Sequence, residues 1–396
     1  MASTAEQMRR YQGLALFSFG FRPFFLFGAI LASALPTLTA LSMSGASSFG
    51  GAYGAIAYHG HEMVFGFLGA IVAGFLLTAA PNWTGGLPVI GWRLGGMFAL
   101  WLAGRAAIAA SAVIGMGAAS VIDGLFLIAL DLVIWREVTA GKSWRNIPVC
   151  VLVGFFAIGN LIWHFRAISE GAGQFGLRWG VAVIAILIAL VGGRITPSFT
   201  RNWFMKQGVR AGGASFDFVD KTALGALGLA MIAWLAAPTG AATGALMLMA
   251  AVLHFVRLAR WRGWLTTAEL LVTILHVGYF WLALALALLG AAALFPTAFS
   301  VSTAFHALTA GAAGVMTLAV MTRATLGHTG RALTADKATI AIFALVNLGA
   351  AARIAASFWI SNYGAALTIG AALWSSAYLL FAITYGRYLL APRLAQ

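Results

Sequence analysis

Charge is what this sequence has least of. Only 9% of its 396 residues are charged, and only 10 of those are Asp or Glu. A water-soluble domain carries about 25% charged residues, so a chain this poor in charge has no polar shell to show to water. Cysteine is almost absent too. The single Cys150 excludes an internal disulfide and any cysteine-cluster metal site. A bound metal would therefore have to be carried by histidine. There is also no cleavage signal after the short polar start "MASTAEQMRRYQG", which reads as a cytoplasmic lead into a first span.

What is abundant fits a bilayer. Hydrophobic residues make up 62% of the chain and mean hydropathy is +0.93. Fourteen Trp and 28 Phe suit interfacial belts and packed helix faces, and 47 Gly suit close helix contacts in lipid. Apolar runs of about 20 residues mark membrane helices. They fall near 21–43, 56–80, 94–115, 118–136, 147–168, 176–197, 220–237, 241–258, 267–291, 299–321, 337–357 and 364–386. The expectation is an all-α polytopic membrane protein of about twelve transmembrane helices, a single transmembrane domain over residues 1–396.

Basic residues orient it. Arg9, Arg10, Arg93, Arg136, Lys142, Arg145, Arg201, Lys206, Arg210, Lys221, Arg257, Arg260, Arg262, Arg323, Arg331, Lys337, Arg387 and Arg393 all fall on one side of a twelve-span arrangement. The loops near 44–55, 238–240, 292–298 and 358–363 carry no Lys or Arg. Basic loops stay cytoplasmic, so both termini are expected there, in a bacterial inner membrane. The net charge of +14 is then topology and not a nucleic-acid footprint.

A weak repeat runs through the chain. An offset of 245 residues aligns His61 with His306, Gly66 with Gly311 and Gly69 with Gly314. It also brings "AGRAAIAAS" (103–111) near "AARIAASF" (351–358), so that Arg105 corresponds to Arg353. An offset of 120 lays "APNW" (80–83) on "TRNW" (200–203). The second, sixth and tenth spans look like counterparts, which suggests three four-helix blocks, 14–136, 147–258 and 267–390. Transporters carry repeats as well.

The polar residues within the spans carry the functional signal, because each is costly in hydrocarbon, about 2.5–3.5 kcal/mol at the midplane on insertion scales. His59, His61, His164, His276 and His306 lie in the middle or outer half of their spans. His254 ends a span and His328 is expected in a cytoplasmic loop. Taken singly, each histidine reads as a satisfied interior polar group. Five at similar depth point to metal, and neutral imidazole suits haem iron and copper. The repeat pairs His61 with His306, as two ligands of one haem iron. His59, two residues earlier, points about 200° away around the helix; it is a candidate for a second metal or an interfacial cap. His164 and His276 are further candidates for that metal. Arg105 and Arg353 need anions, which can be haem propionates or protein acids such as Glu62 and Asp123. Glu62 can orient an imidazole or relay protons, and Asp123 and Asp131 can form a proton path or simply bond within the bundle.

Six stretches, in order along nearly the whole chain, carry a family resemblance. They are "FSFGFRPFFLFGA" (17–29), "HGHEMVFGF" (59–67), "GFLLTAAPNWTG" (74–85), "GRITPSFTRNW" (193–203), "HVGYFWLALAL" (276–286) and "MTLAVMTRATLGHTGR" (316–331). Together they resemble the NnrS family. The resemblance implies a membrane protein carrying haem (heme) and copper in the bacterial nitric oxide response, countering nitrosative stress or serving denitrification. It implies metal roles for His59, His61, His276, His306 and His328. The chain also resembles the catalytic subunit of haem–copper oxidases and nitric oxide reductases, yet departs from it. The tenth span has one histidine where those enzymes have two, and the sixth has none. The expected ligand is nitric oxide, bound or reduced at the metal, with a quinol or periplasmic electron donor as partner. A non-enzymatic sensor or protective factor and a small-solute or metal transporter are the alternatives.

Overall fold

The computed structural model describes residues 11–46, 49–208 and 216–394. Arg9, Arg10 and Arg210, three of the residues that orient the chain, and most of the polar start lie outside them. Among the described residues the regular structure is helical, without a strand. Twelve long helices follow one another. They are α1 (Phe21–Met43), α2 (Ala55–Thr84), α3 (Gly91–Ala109), α4 (Met116–Ala140), α5 (Trp144–Glu170) and α6 (Gln174–Lys206). They continue as α7 (Phe218–Ala236), α8 (Ala241–Leu265), α9 (Leu270–Leu294), α10 (Val301–His328), α11 (Lys337–Phe358) and α12 (Tyr363–Leu390).

Eleven of them are long and apolar enough to cross a membrane; the protein is a multi-pass membrane protein. The helix that falls short is α3, whose Arg93 and Arg105 lower its hydropathy over 19 residues. Outward faces elsewhere are apolar, as a lipid solvent demands: Leu132 on α4 and Phe165 on α5 are largely exposed.

The helices divide into two compact units. One holds the described residues up to Val183, with Thr325–Arg331 and those from Phe381 on; the other holds Ile184–Ala324 and Ala332–Leu380. In the first unit α1 packs on α2, α2 on α4, and α4 on both α3 and α5. Phe24, Phe25, Phe65, Phe126, Phe156 and Trp101 fill the space between them. In the second unit α7, α8, α9, α10 and α11 pack in sequence, each on its neighbour.

Three helices contain a π-helical stretch. It spans Glu62–Leu68 in α2, Ile188–Gly192 in α6 and Ala307–Ala313 in α10. The first and third begin directly after His61 and His306 and are separated by the same 245 residues that align those histidines (307 − 62 = 245). A π turn inserts a residue and loosens the backbone ladder, so its carbonyls look outward for donors. Each stretch finds one. Trp101 Nε1 donates to Gly66 O at 2.9 Å, Arg257 to Ala189 O at 2.8 Å, and Trp374 Nε1 to Ala310 O at 3.0 Å.

Candidate functional site: a buried His–carboxylate–Arg cluster

The π turn of α2 is where polar side chains collect. His61 ends the regular first turns of the helix and Glu62 opens the π stretch, and both are fully buried. Glycine at 66 makes room. A Cβ there would collide with the Arg105 guanidinium and approach Glu62 Oε2 to 3.1 Å. Arg105 comes from α3, Asp123 from α4, and Asn160 and His164 from one face of α5, four residues apart. All are nine-tenths or more buried.

Their contacts are dense. Glu62 Oε1 lies 3.1 Å from His61 Nδ1 and 3.1 Å from Arg105 Nη1. The other arm of Arg105 bonds Asp123 Oδ1. Asp123 Oδ2 faces three nitrogens: Asn160 Nδ2 at 2.7 Å, His164 Nε2 at 2.9 Å and His61 Nε2 at 3.2 Å. Asn160 Oδ1 sits 2.9 Å from His61 Nε2. Tyr53, in the turn before α2, brings its hydroxyl to 3.3 Å from His164 Nδ1. Burial, and then the charge of Asp123, push the Tyr53 hydroxyl up to about 12. It stays protonated at any physiological pH and can donate to His164.

Two counts define the chemistry. Glu62 and Asp123 bring two negative charges and Arg105 one positive charge, so the cage is one positive charge short. And His61 faces only acceptor oxygens, Glu62 at Nδ1 and Asn160 with Asp123 at Nε2. A neutral imidazole can donate at one nitrogen only. The arrangement therefore calls for a cation at His61 Nε2: a second proton, or a metal ion in its place.

The donor set suits a small ion. One ligand atom from each of His61, His164 and Asp123 lies within 4.8 Å of the others. The 2.9 and 3.2 Å separations from Asp123 Oδ2 match ligand–ligand spacings around a first-row ion bound at about 2.0–2.2 Å. A porphyrin disc does not fit there while Trp163, 4.2 Å from the His61 ring centre, Asn160 and Asp123 hold their places.

The residues singled out in the sequence separate into several surroundings. His61, His164 and Arg105 come together. Arg105 takes its counter-charges from Glu62 and Asp123, so the protein and not a propionate supplies its anions. His59 points to another side of α2, where its Nδ1 lies 3.0 Å from Thr39 Oγ1. The other three belong to the second unit. His306 Nδ1 lies 2.7 Å from Ser302 O, and Arg353 donates to Ser302 Oγ at 2.9 Å. His276 Nε2 meets Thr200 Oγ1 at 2.8 Å. His328 is not in a loop: α10 continues to it, and its ring packs on Phe19 and Phe21 within the first unit. Asp131, the other acid of α4, is two turns from Asp123 and packs beside Gly154. Asn160, Tyr53 and Trp163 escaped the sequence reading, although Asn160 and His164 at i and i+4 in an apolar run mark one polar face.

Family comparison places the chain. The family described as "NnrS protein" matches residues 15–393. No curated protein matches it significantly.

Proposed function

The chain belongs to the NnrS family, and from that premise and the buried cluster we propose a bacterial inner-membrane metalloprotein of the nitric oxide response. In this reading one transition ion, copper, is held by His61, His164 and Asp123. The observation that carries it is the charge count. A cage with one net negative charge, buried in lipid and built of two imidazoles and a carboxylate, is stabilised by a cation and costly without one. Both termini lie in the cytoplasm, because the basic helix ends stay on that side.

The protein's own groups each have a part. Glu62 accepts from His61 Nδ1, which leaves Nε2 as the metal-facing nitrogen. Arg105 holds Glu62 and Asp123 in place. Tyr53 meets Nδ1 of His164 and steers the orientation of that ring. Trp163 and Phe65 exclude water around His61. A copper ion bound here would supply an open coordination position for nitric oxide.

Metal analysis of the purified protein tests this. About one copper per chain is expected, lost in His164→Ala and Asp123→Asn. Wild-type protein free of transition metal would overturn the reading. Nitric oxide consumption with an added reductant marks turnover; binding without consumption marks a sensor or protective factor. A second reading follows from the same charge count, because a proton on His61 also completes the cage. A metal-free protein whose His61 exchanges protons would be an ion-coupled transporter, its α2 broken by the π turn.

A further inference from the structure

The buried cluster has an antechamber. A cleft of about 520 Å³ lies in the first unit, where the ends of α1 and α5 meet the starts of α2 and α6. Its lining holds no carboxylate and no Lys or Arg. Met43, Ile56 and Leu177 make it apolar, and Tyr53 and Trp163 supply an aromatic wall, ring centres 4.9 Å apart. The far side of that wall is the cluster. Tyr53 reaches His164, and Trp163 lies on the His61 ring.

The polar groups on the cleft side are mainly donors. Trp163 Nε1 is buried and has no acceptor. It faces Gly173, a residue of the cleft rim where any Cβ would collide with it. α2 starts at Gly54 without a side-chain cap, so the first-turn N–H groups of Ala55–Ala57 also line the cleft unpaired by the helix. An unsatisfied buried N–H costs free energy that a visiting acceptor restores. The occupant therefore needs acceptor oxygens, no charge, and a flat apolar body that lies against aromatic rings. The volume is in the range of sites for small organic ligands. The cleft sits at the ends of four membrane helices, within reach of a molecule dissolved in the bilayer.

The geometry points to a quinone-class ligand: a planar ring bearing carbonyl oxygens binds in this cleft, with one oxygen accepting from Trp163 Nε1. This inference rests on the proposed metal cluster only for its purpose, since it places a membrane-soluble redox molecule one residue away from that cluster.

The test is equilibrium binding of decylubiquinone to the full-length protein in nanodiscs, with copper content measured on the same samples. Saturable binding near one per chain is expected. Trp163→Phe keeps the ring and removes the donor, and weakens binding about tenfold, the worth of one hydrogen bond. Gly173→Ala fills the space beside Nε1, leaves the cluster untouched, and abolishes binding while copper stays. Wild-type protein that holds copper but shows no saturable quinone binding overturns the inference and leaves the metal reading standing. Binding that persists unchanged in both variants, or that millimolar nitrite displaces, overturns it as well. Wild-type quinone binding without copper sustains the cleft and sinks the metal reading instead.

Discussion

Replacing Asp123 by Asn is the sharpest probe of the cluster. The side chain keeps its shape and loses its charge. In wild type one oxygen serves Arg105, and the other faces Asn160 Nδ2, His164 Nε2 and His61 Nε2 at 2.7, 2.9 and 3.2 Å. An amide can offer one oxygen only. If that oxygen faces Arg105, its NH₂ group confronts three nitrogens; if it turns, the NH₂ group confronts the guanidinium. Either way donors meet donors. Arg105 still keeps Glu62 at 3.1 Å, so the folding penalty belongs at the low end of a broken buried ion pair, about 3 kcal/mol. The effect on a bound cation is larger. One charge at about 4 Å and an effective dielectric near 20 is worth about 4 kcal/mol, close to a thousandfold in affinity. Copper affinity, read by competition with a chelator of known strength, should fall by at least that much, while circular dichroism stays helical. A shift under about tenfold, with an unchanged melting curve, would refute Asp123 as the ion's counter-charge.

Other perturbations reach the same site from different directions. Gly66→Ala drives a methyl into Arg105; the melt should drop by about 1–3 kcal/mol, and copper occupancy should fall although no ligand has changed. Trp101→Phe takes the donor from Gly66 O at the π turn, which costs about 1–3 kcal/mol in denaturant unfolding followed by fluorescence. If the ion replaces a proton on His61, its apparent affinity weakens about tenfold for each pH unit of acidification per proton displaced; a titration flat between pH 8 and 6 would contradict proton exchange. Asp217 caps α7 and bonds Arg260, whose guanidinium holds the Asp217 carboxyl below its ordinary range. That stabilisation is present above the usual carboxylate value of about 4 and is lost only as pH falls through the lowered one. Melting temperatures of wild type and Asp217→Asn should therefore differ at pH 7 and converge near pH 3.

The helices were legible because lipid leaves little choice: a run of about 20 apolar residues must close its own backbone bonds. The same logic made Glu62, Arg105, Asp123 and His164 conspicuous. Which of them meet was harder to read. A repeat alignment puts His61 beside its sequence counterpart, His306; the ring's actual neighbours come from α4 and α5. Those neighbours follow from helix packing, where α2 lies on α4 and α4 on α5, and helix order carries no label for that. The π turns were hidden altogether. Their extra residue shifts the helical phase within runs such as "GFLGAIVAGF" (66–75) and "ALTAGAAGV" (307–315), where nearly every side chain is apolar and a phase shift leaves no mark.

That hidden feature explains the cost that the visible residues incur. A regular helix through 61–68 would turn Glu62 about 100° from His61 and leave the two on different faces. In the π stretch Glu62 reaches the Nδ1 of its own neighbour and the guanidinium of α3 together. Gly66 clears the approach, and Trp101, one turn before Arg105 on the same helix, closes the carbonyl that the distortion frees. The backbone irregularity and the charge cluster are thus parts of one device: α3 supplies both the donor that holds the π turn open and the cation that balances half of its acid. Changing Trp101 should consequently disturb the ion site even though the indole touches none of its ligands. A Trp101→Phe protein that lost stability but kept full copper affinity would show the turn and the cluster to be independent.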